Sequence, residues 1–121
     1  MYKQTNATYI KPNVTKQWLL SHNFRYNQSL SYDGTDVYTY RFPVYKYEKF
    51  TTLECELCII LGEDEVRINV YEYGTSDRYA PFYYCEYGNF NKMLEIIWSN
   101  INRQLRRLEI VKNNDNKEKN N

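Results

Sequence analysis

Residues 52–73 read TLECELCIILGEDEVRINVYEY, and the apolar spacing on either side of Gly62 decides the fold. Leu53, Cys55, Leu57, Ile59 and Leu61 alternate with Thr52, Glu54 and Glu56, and Val66, Ile68 and Val70 alternate with Arg67, Asn69 and Tyr71. Period two marks a strand with one buried and one open face, because successive side chains of an extended chain point to opposite sides. Residues 62–65 then form a hairpin loop, and pairing Leu61 with Val66 sets Ile59 against Ile68 and Leu57 against Val70 on one face.

Working outward, Tyr38, Tyr40, Phe42 and Val44 form the apolar set of a preceding strand over 37–45. Pairing Phe42 with Cys55 brings Arg41 opposite Glu56 on the other face, where opposite charges meet. Pro43 has no N–H to give a ladder, so a bulge or strand end is expected there. Downstream of the turn at 74–78, Ala80, Phe82 and Tyr84 alternate with Tyr79, Tyr83 and Cys85, which reads as a further strand pairing Val70 with Phe82.

Toward the N-terminus, Phe24, Tyr26, Gln28 and Leu30 read as a strand that returns on 37–44 through a hairpin loop at 33–35. Before it, Asn13 or Thr15 caps a short helix over 15–22 that points Trp18 and Leu19 at the core, and Asn23 suits the left-handed residue that stops it. Residues 1–12 show no sustained period and read as an arm, or as a short extra strand through 7–10. After Gly88, Asn89 caps a long helix in which Phe90, Leu94, Ile97, Ile101, Leu105 and Leu108 recur at steps of three and four. The expected fold is α+β: an antiparallel meander of four to five strands, with a short N-terminal and a long C-terminal helix packed on one face. Residues 1–112 are expected to form a single domain and 113–121, charged or amide throughout, a disordered polar tail.

The chain has 121 residues with 16 basic and 15 acidic side chains, a formal net charge of +1, so no overall field draws it to nucleic acid or an anionic membrane. No charged-then-apolar leader and no apolar run of membrane-spanning length occurs, which predicts a cytoplasmic protein with no membrane association. Three glycosylation sequons, at Asn6, Asn13 and Asn27, read as by-products of a chain rich in Asn, Ser and Thr. The abundance of Asn, Lys, Tyr and Ile suits an AT-rich genome.

Catalytic and metal signatures are sparse. Cys55 and Cys58 have a redox-like or zinc-like spacing, yet a three-residue step along a strand puts them on opposite faces. All three cysteines, Cys85 included, are expected as free thiols, with Cys55 in the core. His22 is the one histidine and reads as a cap at the end of the first helix. No metal site, cofactor or catalytic residue is assigned.

Tyrosine is the outlier, with 14 residues. The strand parities put Tyr38, Tyr40 and Tyr84 in the core and Tyr45, Tyr71, Tyr73, Tyr79, Tyr83 and Tyr87 on the open face, beside Arg41, Arg67, Asn69, Glu54 and Glu56. Tyrosine and arginine are enriched at binding hot spots, so Arg41, Arg67, Asn69, Tyr71, Tyr73, Tyr79 and Tyr83 form the expected binding face. The expected function is a non-catalytic interaction protein that engages a protein partner or a second copy of itself. Small proteins of AT-rich bacteria and phages are often of this kind, and the narrower expectation, which no residue here carries, is a phage or mobile-element inhibitor of host defence, of anti-CRISPR type. The alternatives are a single-stranded nucleic-acid-binding module using sheet aromatics and a small enzyme of unrecognised type.

Overall fold

The computed structural model of the chain describes residues 8–83 and 92–113. In chain order the elements are β1 (Thr8–Ile10), α1 (Lys16–Ser21), β2 (Arg25–Tyr26), β3 (Val37–Tyr47), β4 (Phe50–Ile60), β5 (Glu65–Glu72), α2 (Ala80–Tyr83), α3 (Lys92–Arg107) and β6 (Val111–Asn113). The strands form one six-stranded antiparallel sheet in the order β2-β3-β4-β5-β1-β6. The class is the α+β one expected, with more strands. β2 to β5 form the meander, while β1 and β6 add themselves beyond β5.

The β3–β4 register is the one the charges called for: Phe42 lies opposite Cys55 and Arg41 opposite Glu56. The β4–β5 register is shifted by two residues from expectation, with Leu57 opposite Ile68 and Ile59 opposite Val66. The turn sets it. Glu63 N–H donates to Ile60 O at 2.9 Å, and Gly62 takes φ 94°, so β4 ends sooner than its apolar run. A shift of two leaves every side chain on its expected face.

Three segments depart further. The expected strand over 79–87 is, in its described part, the single-turn helix α2. Pro81 has no N–H for a ladder and its fixed φ suits the first turn of a helix, which outweighs the alternation around it. The place beside β5 goes instead to β1, with Tyr9 opposite Val66. The expected strand from Phe24 to Leu30 keeps only Arg25 and Tyr26, because the Asn27 side chain accepts Leu30 N–H at 3.0 Å and turns the chain. Finally, Asn113, assigned to the tail, lies in β6 opposite Thr8. The remainder of that tail, with Tyr84, Cys85, Tyr87, Gly88, Asn89 and Phe90, falls outside the described residues.

The core is one cluster on the inner face of the sheet. Leu19 of α1, Phe82 of α2, and Leu94, Ile97, Ile101 and Leu105 of α3 pack there with Phe42, Cys55, Leu57, Ile59 and Val70. Pro43 sits at the predicted bulge: the register slips between Pro43 and Tyr45, which turns Tyr45 to face Leu53 and the core. Beyond Thr39, β3 has no described strand partner on its outer side. Pro43, the bulge and Asn100, whose Nδ2 donates to Val44 O at 2.8 Å, protect that edge from further pairing.

Candidate functional site

Residues of the outer face follow from the register. Arg41, Glu56 and Asn69 form one cross-strand row, and Thr39, Cys58 and Arg67 the next. No described helix contributes a buried residue to this side. Its centre is nevertheless ordered. The Arg41 guanidinium donates to Glu56 Oε2 at 3.2 Å, to Glu54 Oε1 at 3.0 Å and to Thr75 O at 2.9 Å, and lies 4.5 Å above the ring of Tyr71. Tyr71 Oη donates to Glu56 Oε1 at 3.5 Å, and Gly74 N–H donates to Glu54 Oε1 at 3.1 Å. Glu56 is 5% exposed as a result, the one buried charged residue among those described.

The electrostatics match the geometry. Burial by itself lowers the pKa of the Arg41 guanidinium, but hydrogen bonds and charge from Glu54 and Glu56 outweigh it and raise the value. Burial and the Glu56 carboxylate push the Tyr71 phenol up, while Arg78 and Arg41 pull it partway back. Arg78 arrives from the turn after β5, with its guanidinium 5.3 Å over the ring of Tyr83.

The expected tyrosine face is thus divided. Arg41, Asn69 and Tyr71 lie together on the outer face, with exposed Arg67 in the adjacent row. Tyr73 is exposed at the end of β5, where its N–H donates to Thr52 O at 2.9 Å. Tyr79 and Tyr83 are not on that face, because the chain turns into α2 directly after Tyr79, which places both against the edge of β5 and the core. Tyr79 Oη donates to Met93 Sδ of α3 at 3.4 Å, and Tyr83 Oη accepts Val70 N–H at 2.9 Å and donates to Asn69 Oδ1 at 3.2 Å. Tyr83 thereby caps the β5 edge where β1 no longer reaches it.

At the end of this face two exposed aromatics were missed. Tyr47 and Phe50 pair across the two-residue turn Glu48-Lys49 at the tip of the β3–β4 hairpin and are 66% and 72% exposed. With Tyr73 at 58%, they gather large apolar side chains at one end of the sheet. The strands expected over 37–45 and from Thr52 stop short of this pair, whereas β3 and β4 run on to Tyr47 and back from Phe50.

Cys55 and Cys58 are free thiols on opposite faces, Cys55 in the core and Cys58 half-buried beside Arg67. Burial pushes both thiols up, Cys55 well up, which keeps them in the unreactive protonated form. His22 closes α1: its N–H donates to Trp18 O and Leu19 O, Nδ1 lies 2.8 Å from Trp18 O, and its ring stacks on Trp18 at 4.3 Å.

The fold and site define an α+β protein with helices on one side of its sheet, an ordered polar platform on the other, and an aromatic hairpin end. No protein-family model, curated protein or solved structure matches the chain.

Proposed function

We propose that the protein is a non-catalytic binding module that engages a protein partner with the outer sheet face and the hairpin end beside it. The observation that carries this reading is the exposure of Tyr47, Phe50 and Tyr73 at one end of a face already fixed by the Arg41–Glu54–Glu56–Tyr71 cluster. Large exposed apolar groups beside an ordered polar surface are typical of interaction sites, and a pre-ordered platform loses little side-chain freedom on binding. Arg67 and Asn69 supply unburied polar groups at the rim. A second copy of the chain is the simplest partner, and an inhibitor of a host-defence complex is a narrower form of the same reading.

The double variant Tyr47→Ser/Phe50→Ser tests it. Both side chains are exposed, so circular dichroism should be unchanged, while self-association or partner binding weakens by about 2 kcal/mol or more if these are hot spots. Sedimentation across a concentration series reads the self-association form. Surface-immobilised wild type and variant read the partner form, and equal capture of the same partner by both would remove the hairpin end from the mechanism.

A further inference from the structure

The helical side carries a second surface that the protein-binding proposal leaves unused. Arg103, Arg106 and Arg107 project from the last turns of α3, all exposed, and none forms a salt bridge with a carboxylate among the described residues. Cations near a helix C-terminus offset its dipole, which accounts for their presence there but not for how they are held. Two are braced by neutral groups. Arg103 Nη1 donates to Asn100 Oδ1 at 2.8 Å, and Arg107 donates to Gln104 Oε1 at 2.9 Å and Tyr40 Oη at 3.4 Å with its guanidinium 6.0 Å over the Tyr40 ring. Their positive charge is positioned without being neutralised.

From Tyr40 a chain of ring contacts runs through Phe24, at 5.5 Å, to Trp18, at 5.8 Å, and Lys11 Nζ stands 5.2 Å over the Trp18 ring. Tyr40 and Trp18 are half-buried, so part of each ring meets solvent. Among the described residues, the one carboxylate paired with any of these cations is Glu109, 84% exposed and 4.0 Å from Lys11, whose own side chain is 17% exposed. Cations therefore stand at the two ends of a run of three rings from the end of α3 across to α1, with His22 stacked on Trp18 at 4.3 Å.

We propose that this strip binds single-stranded nucleic acid, with Arg103, Arg106, Arg107 and Lys11 on phosphates and the rims of Trp18 and Tyr40 against bases. Arginine forks match phosphate oxygens, and the solvent-facing ring edges between the cations offer unpaired bases an apolar contact. An acidic protein segment needs the cations alone, which leaves the ring edges between them unused. The surface lies on the opposite side of the sheet from the protein-binding proposal, and the two stand or fall separately.

Fluorescence anisotropy with a labelled oligothymidylate of about 20 nucleotides reads the binding directly. The logarithm of affinity should fall with the logarithm of salt with a slope of about −2 to −3, for three to four neutralised phosphates. Arg103→Ala/Arg106→Ala, two exposed positions outside the core, should lower affinity at least about tenfold at low salt and flatten the slope by about 1.4. Circular dichroism confirms that the variant is folded, and Tyr47→Ser/Phe50→Ser should bind the oligomer as wild type does. Absence of salt-dependent binding, or an arginine variant that binds as wild type, would overturn the proposal. Displacement of the oligomer by polyglutamate at equal charge would replace nucleic acid with an acidic protein segment as the occupant.

Discussion

Arg41 shows what a single side chain contributes to an uncovered sheet face. Removing a carboxylate from water costs several kcal/mol, on the order of the stabilisation its partner returns, so Glu56 can be buried only while Arg41 and Tyr71 match it. The Arg41→Ala variant leaves that carboxylate in place without its charge partner, and should lose on the order of 3 kcal/mol in a urea titration at neutral pH. Replacing Arg41 and Glu56 together by apolar residues of similar volume should cost less than Arg41→Ala. A double variant less stable than the single one would show that the cluster contributes more than mutual neutralisation. The sequence made this pair legible because the two residues fall opposite each other once Phe42 meets Cys55. The further engagement of Glu54, Tyr71 and Thr75 O depends on how the turn after β5 folds back, which no spacing rule reveals.

The C-terminal ends of α1 and α3 use the same device. At the end of α1, Phe24 N–H donates to Leu19 O and Asn23 takes φ 72°; at the end of α3, Ile110 N–H donates to Leu105 O and Glu109 takes φ 60°. Each is a Schellman motif, and each drives the following apolar residue, Phe24 or Ile110, into the core. Asn23 was recognisable because asparagine tolerates the left-handed region. Glu109 was not, since nothing in its chemistry favours that conformation and the buried Ile110 imposes it. Glu109→Gly should therefore stabilise the protein by about 1 kcal/mol, read as a shift in denaturation midpoint. A destabilised variant would mean that the exposed contact with Lys11 outweighs the strain. α2 teaches the complementary lesson, because one proline converted an alternating run into a helical turn.

At the scale of the molecule, tyrosine links stability to alkaline pH. Burial raises the phenols of Tyr9, Tyr71, Tyr79 and Tyr83, and raises Tyr83 despite the opposing hydrogen bond from Val70 N–H. A phenol whose pKa rises on folding holds its proton more tightly in the folded state. Its contribution is complete below the unfolded value of about 10 and is lost as pH climbs through the higher folded value. The denaturation midpoint should stay level from neutral pH to about 9 and then fall above about 10. Tyr83→Phe should be less stable at neutral pH, having lost the acceptor for Val70 N–H, and should fall less steeply in alkali. Equal steepness in the two proteins would assign the alkaline loss to the other tyrosines or to Cys55.

The sequence by itself determined what depends on near neighbours: the two faces of β3 as far as Pro43 and those of β4 and β5, the Arg41–Glu56 pairing, the inward stripe of α3 and the stop at Asn23. These follow from periods of two and 3.6 and from the conformational range of single residues. Tertiary structure alone decided what fills the far edge of β5, where Thr8–Ile10 and Val111–Asn113, distant in sequence and weak in pattern, meet through backbone hydrogen bonds that carry no side-chain signature. It also decided where the tyrosines lie. Strand parity holds only along an unbroken strand, so the bulge after Pro43 moved Tyr45, and the turn into α2 at Pro81 moved Tyr79 and Tyr83, off the face to which alternation had assigned them.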